Sequence, residues 1–394
     1  MKQILGIFLG LLISLSVTAQ TKQKDSIFET RKIGLFLPLY LDSVFKVKQY
    51  KYGKKFPRFT LQGLEYFQGA KIALDSFNLD AVKTELFVYD VKSDSSVVDS
   101  LISQNKLPKF NFIIGAVKDE DLLSLAAYAL SHKIPFVSAT LPNDEGISNN
   151  PYFIIVNPTL KTHCESIFSF LLQNHNTDNI LMVQKSGNQE DRVMSYFKNI
   201  NEQDSLHLLE FQSIKLDSNY SSISKYLDST KKNIIVGASL DENFAVDLAA
   251  SLKLISKTYD LKLIGMPNWN GFNAFGKNNN SIVKDFPIFF TSPYFNDKTN
   301  SICEIIQNAY LINYKGKPGE FAYKGFETMY YFSMLNFTGK LNNFLSELNV
   351  SGASIFSDYN FLPVINSKTQ SIDYFENKHL FILKKINGVL TKIN

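Results

Sequence analysis

The chain has 394 residues, 45% of them apolar and 20% charged, with a formal net charge of +4. Those proportions belong to a globular chain, and a disordered one is excluded; the length predicts about two domains. A net charge this small, spread over the chain, speaks for neither nucleic acid nor an anionic membrane as the main partner.

Met1 and Lys2 precede an almost wholly apolar run from Ile4 to Val17, and Val17, Thr18 and Ala19 set small residues before a cleavage point at Gln20. Residues 1–19 read as a signal peptide and 20–31 as a flexible leader. The apolar run is shorter than the ~20 residues that cross a bilayer. No cysteine stands at the cleavage point to take a lipid, so the mature chain is expected free in the periplasm and not membrane-inserted.

Lys32 to Leu37 is the first strand, stopped by Pro38. A basic loop from Phe45 to Arg58 follows, with Lys46, Lys48, Lys51, Lys54, Lys55 and Arg58; it is either a solvated insertion or a docking patch for an acidic partner. Leu64 to Asn78 has helical periodicity, and Gly69 marks a point where that helix comes close to the sheet. Glu85 to Tyr89 is the second strand, ending at Asp90, and Val97 to Leu101 starts the second helix. Phe110 to Thr140 is the stretch around which the rest is organised. Phe112, Ile113 and Ile114 form a run covered on both faces, ended by Gly115. Asp119, Glu120 and Asp121 place negative charge in the first turn of the next helix. Leu122, Leu125, Ala126 and Ala129 give that helix its apolar face, and Phe136 to Ser138 is the next strand. Repetition of this unit predicts a parallel doubly wound lobe with its functional edge at the carboxyl ends of the strands.

The pattern then restarts. Pro151 to Pro158 leaves the first lobe, and helices at Glu165 to Leu172, Arg192 to Ile200 and Phe244 to Leu254 alternate with strands at Asn179 to Val183, Asn233 to Val236, Leu261 to Ile264 and Pro287 to Thr291. Two more helices follow, around Ile302 to Ile312 and from Phe321 to Phe337. Tyr374 to Lys384 and Gly388 to Ile393 predict a closing hairpin turned at Asn387 and Gly388. The fold class is therefore α/β, with two doubly wound parallel-sheet lobes. Cys164 and Cys303 fall in different lobes and are expected as buried free thiols, a bridge being the alternative.

These residues resemble the type I periplasmic solute-binding proteins, the leucine-isoleucine-valine-binding and receptor ligand-binding group. The resemblance rests on Ile33, Gly34 and Pro38; Gln68, Gly69, Ala70, Ala73, Asp75 and Asn78; Asp90; Ile113 to Gly115; Ile134 and Pro135; Val156 to Pro158; Thr291 to Pro293; and Ala322 to Met329. Ala73 to Phe77 and Asn149 to Phe153 look like an envelope branch whose members are often attached to peptidoglycan-binding LysM modules. The resemblance implies two lobes joined by three hinge crossings, one built from 32–156 plus 292–350 and the other from 157–291 plus 351–394. It implies a ligand held between them by closure, no catalytic step and no cofactor. The expected partners are a small-molecule ligand and an inner-membrane permease or a cell-envelope protein.

Tyr40, Asp90, Lys118, Asp119, Ser138, Thr140, Asp241, Trp269 and Tyr294 are the candidate ligand contacts. In amino-acid-binding relatives the loop matching Val117, Lys118 and Asp119 grips the ligand carboxylate. Asp119 there disfavours a plain amino acid unless Lys118 turns inward, and Asp119 is otherwise a first-turn helix acid. Ser138 and Thr140 keep the family's hydroxyls. Gly187, Asn188 and Gln189 stand where an aromatic is usual, and the acid that holds a ligand ammonium resembles Asp241 or Glu242. Trp269 either stacks on ligand or is simply a buried tryptophan. The chain thus reads as a solute-binding protein or sensor for a small polar ligand, such as an amino acid, peptide or cell-wall fragment. The alternative is an envelope interaction protein of the same fold that regulates or scaffolds cell-wall or outer-membrane machinery. An enzyme is disfavoured, because no G-x-S-x-G elbow or phosphate loop is present and the five histidines show no ligand-pair spacing.

Overall fold

The computed structural model describes residues 30–76, 83–93, 97–202, 207–277, 281–335 and 346–393. The expected signal peptide, nearly all of the leader, Phe77 and Asn78 of the first helix, and the end of the helix expected to reach Phe337 lie outside these residues.

Strand β1 (Arg31–Leu37) is followed by a one-turn helix α1 (Leu41–Val44) and a hairpin of β2 (Phe45–Lys46) and β3 (Gln49–Tyr50). Then come α2 (Leu61–Ser76), β4 (Thr84–Asp90), α3 (Val97–Ser103), β5 (Phe112–Gly115), α4 (Asp119–His132), β6 (Phe136–Ser138) and β7 (Phe153–Ile155). The first sheet runs β4-β1-β5-β6-β7, all parallel. Its strands are apolar on both faces because helices cover both. Ile33, Leu35, Ile114 and Val137 pack on one side against α2, and Phe36, Ile113 and Phe136 pack on the other against α4.

The second sheet repeats the scheme. Its elements are α5 (Leu160–Asn174), β8 (Asn179–Gln184), α6 (Asn188–Asn201), β9 (Gln212–Lys215), β10 (Asn233–Gly237), α7 (Glu242–Ile255), β11 (Leu261–Gly265) and β12 (Ile288–Ser292), with strands ordered β9-β8-β10-β11-β12 in parallel. Cys164 belongs to the core of this sheet and Cys303 to that of the first; both are free.

After β12 the chain returns through α8 (Ser301–Tyr314) and α9 (Glu320–Met334), whose apolar faces join the first core. Close approach here is between helices. A Cβ at Gly69 would sit 1.8 Å from the Ala322 carbonyl oxygen, and one at Gly325 would sit 2.2 Å from that of Tyr66. Gly69 thus serves α9 and not the sheet, which corrects the sequence-based expectation.

A second correction concerns the C-terminal region. Strands β13 (Phe361–Ile365) and β14 (Ile372–Asn377) pair antiparallel and extend the first sheet, β14 lying parallel to β7 with Phe375 opposite Ile154. Residues 361–377, expected in the second lobe, therefore belong to the first sheet. Pro363 is tolerated because β13 is an edge strand. Only β15 (Phe381–Ile386) and β16 (Val389–Lys392) close the second sheet, with Asn387 and Gly388 at their turn and β15 antiparallel to β12. Tyr374 is on β14, outside the hairpin predicted for it. The third passage between the sheets is Lys378 to Leu380.

Candidate functional site

In a doubly wound sheet the loops diverge where strand order reverses, leaving a crevice at the carboxyl ends. That point lies between β1 and β5 in the first sheet and between β8 and β10 in the second.

On the first side, Asp90 ends β4 with both carboxylate oxygens occupied. Its Oδ1 accepts the backbone N–H of Leu39 at 2.9 Å, Tyr40 at 3.1 Å and Lys92 at 2.9 Å, and its Oδ2 accepts that of Leu41 at 2.7 Å. Asp90 shapes the turn after β1 and holds Tyr40 in a left-handed conformation (φ 57°). Tyr40, Lys118 and Thr140 line a cavity of about 190 Å³ with Ala116, Val117 and Asp121. Lys118 pairs with Asp119 at 3.5 Å, and both side chains are more than half exposed. Ser138 is fully buried, and among the described residues its Oγ has no hydrogen-bond partner. It lies on β6 just before Ala139 and Thr140, both of which line a cavity.

On the second side, Asp241 caps α7. Its Oδ1 accepts the Phe244 N–H at 2.8 Å and its Oδ2 accepts Lys185 Nζ at 3.0 Å, so the Phe244 amide first and Lys185 second hold its carboxyl below the usual range. A ligand ammonium at Asp241 would have to displace Lys185. Trp269 does not face a ligand. It is 0% exposed, donates Nε1–H to the Ser239 carbonyl at 2.8 Å and stacks on Phe275 at 6.1 Å. The indole lies in the space a Cβ at Gly265 would need, 2.2 Å away, and near that of Gly237. The expectation of ligand stacking is overturned; two strand-end glycines were the signal that the tryptophan fills the core.

Three further cavities share Asn157, in the first crossing, whose Nδ2 donates to the Thr140 carbonyl at 3.0 Å. The largest, about 620 Å³, is walled by Leu141 to Asp144 after β6, by Thr159 to Lys161, and by Gln189, Arg192, Leu240 and Asn268 from the second lobe. A second, about 420 Å³, lies between Pro267 and Asn270 on one side and Tyr294, Asn296, Glu320 and Lys324 on the other. The third, about 220 Å³, is lined by Thr140, Asn157, Tyr294, Phe321, Lys324, Glu327 and Tyr359.

Lys324, which sequence reasoning missed, lines two of these cavities. Its Nζ lies 5.2 Å from the Tyr294 ring centroid and 5.9 Å from that of Phe321. Among the described residues it makes no ion pair, and burial pulls its pKa down against the pull of Glu320 and Glu327. Glu327 is already saturated. Its Oε1 accepts the N–H of Ile355, Phe356 and Ser357 at 2.7–2.9 Å and its Oε2 accepts Ser357 Oγ–H at 2.9 Å, while burial raises its pKa. Burial likewise raises the pKa of Tyr294, whose hydroxyl accepts Asn296 Nδ2–H at 3.3 Å. The helix α9 brings the cation to the cleft because Gly325 packs it tightly on α2. The arrangement offers a desolvated positive charge, aromatic walls and amide or hydroxyl groups, which is the chemistry of binding. Among the described residues no cluster suited to a metal ion is found, and no helix is long and apolar enough to cross a membrane.

No protein-family model and no curated protein sequence matches this chain. Solved structures do. A putative branched-chain amino acid ABC transporter protein from Rhodospirillum rubrum superposes with a TM-score of 0.63 at 12% identity, over 92% of this chain and 100% of that one. An ABC transporter substrate-binding protein from Desulfitobacterium hafniense gives 0.55 at 11% identity, over 93% and 100%. The C-domain of LpoA from Haemophilus influenzae, a regulator of PBP1A, gives 0.56 at 14% identity, over 92% and 100%. The protein has the type I periplasmic binding protein fold, and at these identities the likeness is one of fold.

Proposed function

We propose that this protein is a non-catalytic periplasmic binding protein or sensor that takes a small polar ligand carrying an anionic group, of the amino-acid, peptide or cell-wall-fragment kind, into the interlobe cleft. The observation that carries this is Lys324: a half-buried ammonium that makes no ion pair among the described residues and opens on two cavities, the larger of which has walls from both lobes. Evolution tolerates a desolvated charge where a counter-charge arrives. Lys324 and Arg192 supply the positive charge, and Thr140, Tyr294 and Asn157 the polar contacts. Closure of the lobes follows if the ligand touches both.

The test is thermal unfolding with a library of amino acids, short peptides, organic acids and peptidoglycan fragments. A true ligand at about a hundredfold excess over its Kd adds about 2.7 kcal/mol, and Lys324→Met abolishes the shift for anionic ligands. Failure of every compound would reject the reading.

A second reading, an interaction protein that regulates cell-wall machinery, is supported by one feature. Asp241, one of the two acids resembling the family's ammonium contact, is taken up by Lys185, and the LpoA C-domain shows that this fold also occurs in a regulator of PBP1A. Capture of a cell-wall synthase by the exported chain, with no ligand shift, would favour it.

A further inference from the structure

The net charge of +4 conceals its distribution. Between Leu41 and Thr60 stand Lys46, Lys48, Lys51, Lys54, Lys55 and Arg58 against the single acid Asp42, six minus one giving +5, so the rest of the chain sums to −1. All six cations are exposed. Interleaved with them, Phe45 (42%), Val47 (95%), Tyr52 (39%), Phe56 (53%) and Phe59 (46%) are exposed as well.

The segment is built. β2 and β3 pair Phe45 with Tyr50 and Lys46 with Gln49, Tyr50 Oη–H donates to the Lys55 carbonyl at 2.6 Å, and Val44, Pro57 and Thr60 are buried beneath it. A chain of ring contacts runs from Phe45 through Tyr50, Tyr52 and Phe59 to Tyr40 at the cleft, with centroids 5.2–6.2 Å apart. Its tip is unusual. Val47 (φ 47°) and Lys48 (φ 67°) form a two-residue turn with both φ positive, a type I′ turn that favours Asn and Gly. A β-branched residue in that conformation is an outlier. Here it holds an apolar side chain outward between two lysines, where neither folding nor solubility gains. Strain of this kind points to a use for the side chain.

We propose that this hairpin docks the protein peripherally on an anionic phospholipid surface, Val47 and the neighbouring aromatics entering the headgroup layer while the lysines and Arg58 meet lipid phosphates. Aromatic and aliphatic groups ringed by cations suit that interface. A narrow convex tip of two two-residue strands can enter a fluid layer, whereas a stable protein interface needs about 800 Å² of complementary surface per partner. Because the ring chain ends at Tyr40, docking sets the mouth of the cleft beside the bilayer.

The experiment is co-sedimentation of the exported chain with vesicles of phosphatidylglycerol in phosphatidylcholine and with vesicles of phosphatidylcholine alone. All variants are purified alike as the chain from Gln20 onward, so that the apolar run of residues 4–17 does not contribute. The expected result is binding to the anionic vesicles, lower by about tenfold on the neutral ones and in high salt. The double variant Lys46→Glu, Lys48→Glu loses it by a similar factor. Val47→Asn suits the turn and removes the apolar tip, so it weakens binding several-fold with a melting point unchanged or raised. Equal sedimentation with both vesicle types overturns the proposal, as does unaltered binding by Val47→Asn. So does a chain that ignores anionic vesicles yet binds an acidic polypeptide such as polyglutamate, which would assign the hairpin to a protein partner.

Discussion

Lys324 separates what a residue does for the fold from what it does for a ligand. An ammonium that burial disfavours more than the nearby Glu320 and Glu327 favour it destabilises the folded chain, whereas its methylene stem packs. Lys324→Met keeps the stem and removes the charge, so unfolding of the ligand-free variant should show stability unchanged or raised by about 1 kcal/mol. A loss beyond about 2 kcal/mol would mean that the cation holds the fold and would sink its role as a ligand anchor. The site was legible at this scale only in part. Thr140 and Tyr294 do line cavities, since positions just past strand ends are read from apolar runs. Asp90, Asp241 and Trp269 occupy equivalent positions but turn to backbone amides, to Lys185 and into the core. Position along a strand does not say which way the next side chain points. Lys324 was overlooked because a lysine on an amphipathic helix is ordinarily solvated; aromatic Phe321 and Tyr323 before it and Gly325 after it are the local sign that this helix face is covered.

At the scale of elements, the contact of α2 with α9 sets the position of Lys324 and Glu327. Gly69 and Gly325 let the two backbones touch, and the atoms a Cβ would strike are carbonyl oxygens that no rotamer change can move. Gly69→Ala should therefore cost at least the ~1–3 kcal/mol of ordinary overpacking, read as a lowered midpoint in denaturant. Gly271→Ala, with open space around it and no positive φ, is the control and should stay within about 0.5 kcal/mol. Equal effects of the two would remove the helix contact from the account. The glycine was visible in the sequence, but its partner was not: spacing shows that a helix has a close-approach face and leaves open what approaches. The same limit explains β13 and β14. Alternating strand patterns carry no label for one sheet or the other, and the passage at Lys378 to Leu380 is too short to show as a linker. The sign of the crossing is buried polarity. Glu376 Oε1 accepts the Thr159 N–H at 2.7 Å and Thr162 Oγ1–H at 2.8 Å while its Oε2 accepts Lys378 Nζ at 2.6 Å, tying the third crossing to the first.

For the molecule as a whole, the crossings make folding stability sensitive to acid. His163, at the start of α5 beyond the first crossing, is buried with Nδ1 2.7 Å from the Thr291 hydroxyl at the second. Burial pushes its pKa down to about 3, and burial also lowers those of His175 and His379. Below about pH 6.5 the unfolded chain takes up protons at these rings while the folded chain does not. The stability they contribute is therefore complete above that pH and lost as pH falls toward their folded values. For His163 alone the loss is on the order of 4 kcal/mol by pH 3. Two carboxylates add to this with opposite signs. Asp241, held below its ordinary value first by the Phe244 amide, loses its contribution as pH falls below about 3.8. Glu327, raised by burial, acts with the opposite sign and weakens the fold as pH rises past about 4.5. As pH falls from 7 to 5 the three histidines weaken the fold and Glu327 opposes them, and with three groups against one the melting midpoint should fall over that interval. His163→Gln, which can still bond Thr291 but cannot charge, should flatten the fall, leaving a residual slope from His175 and His379. A His163→Gln profile as steep as the wild type's from pH 7 to 5 would show that His163 is not held neutral by burial.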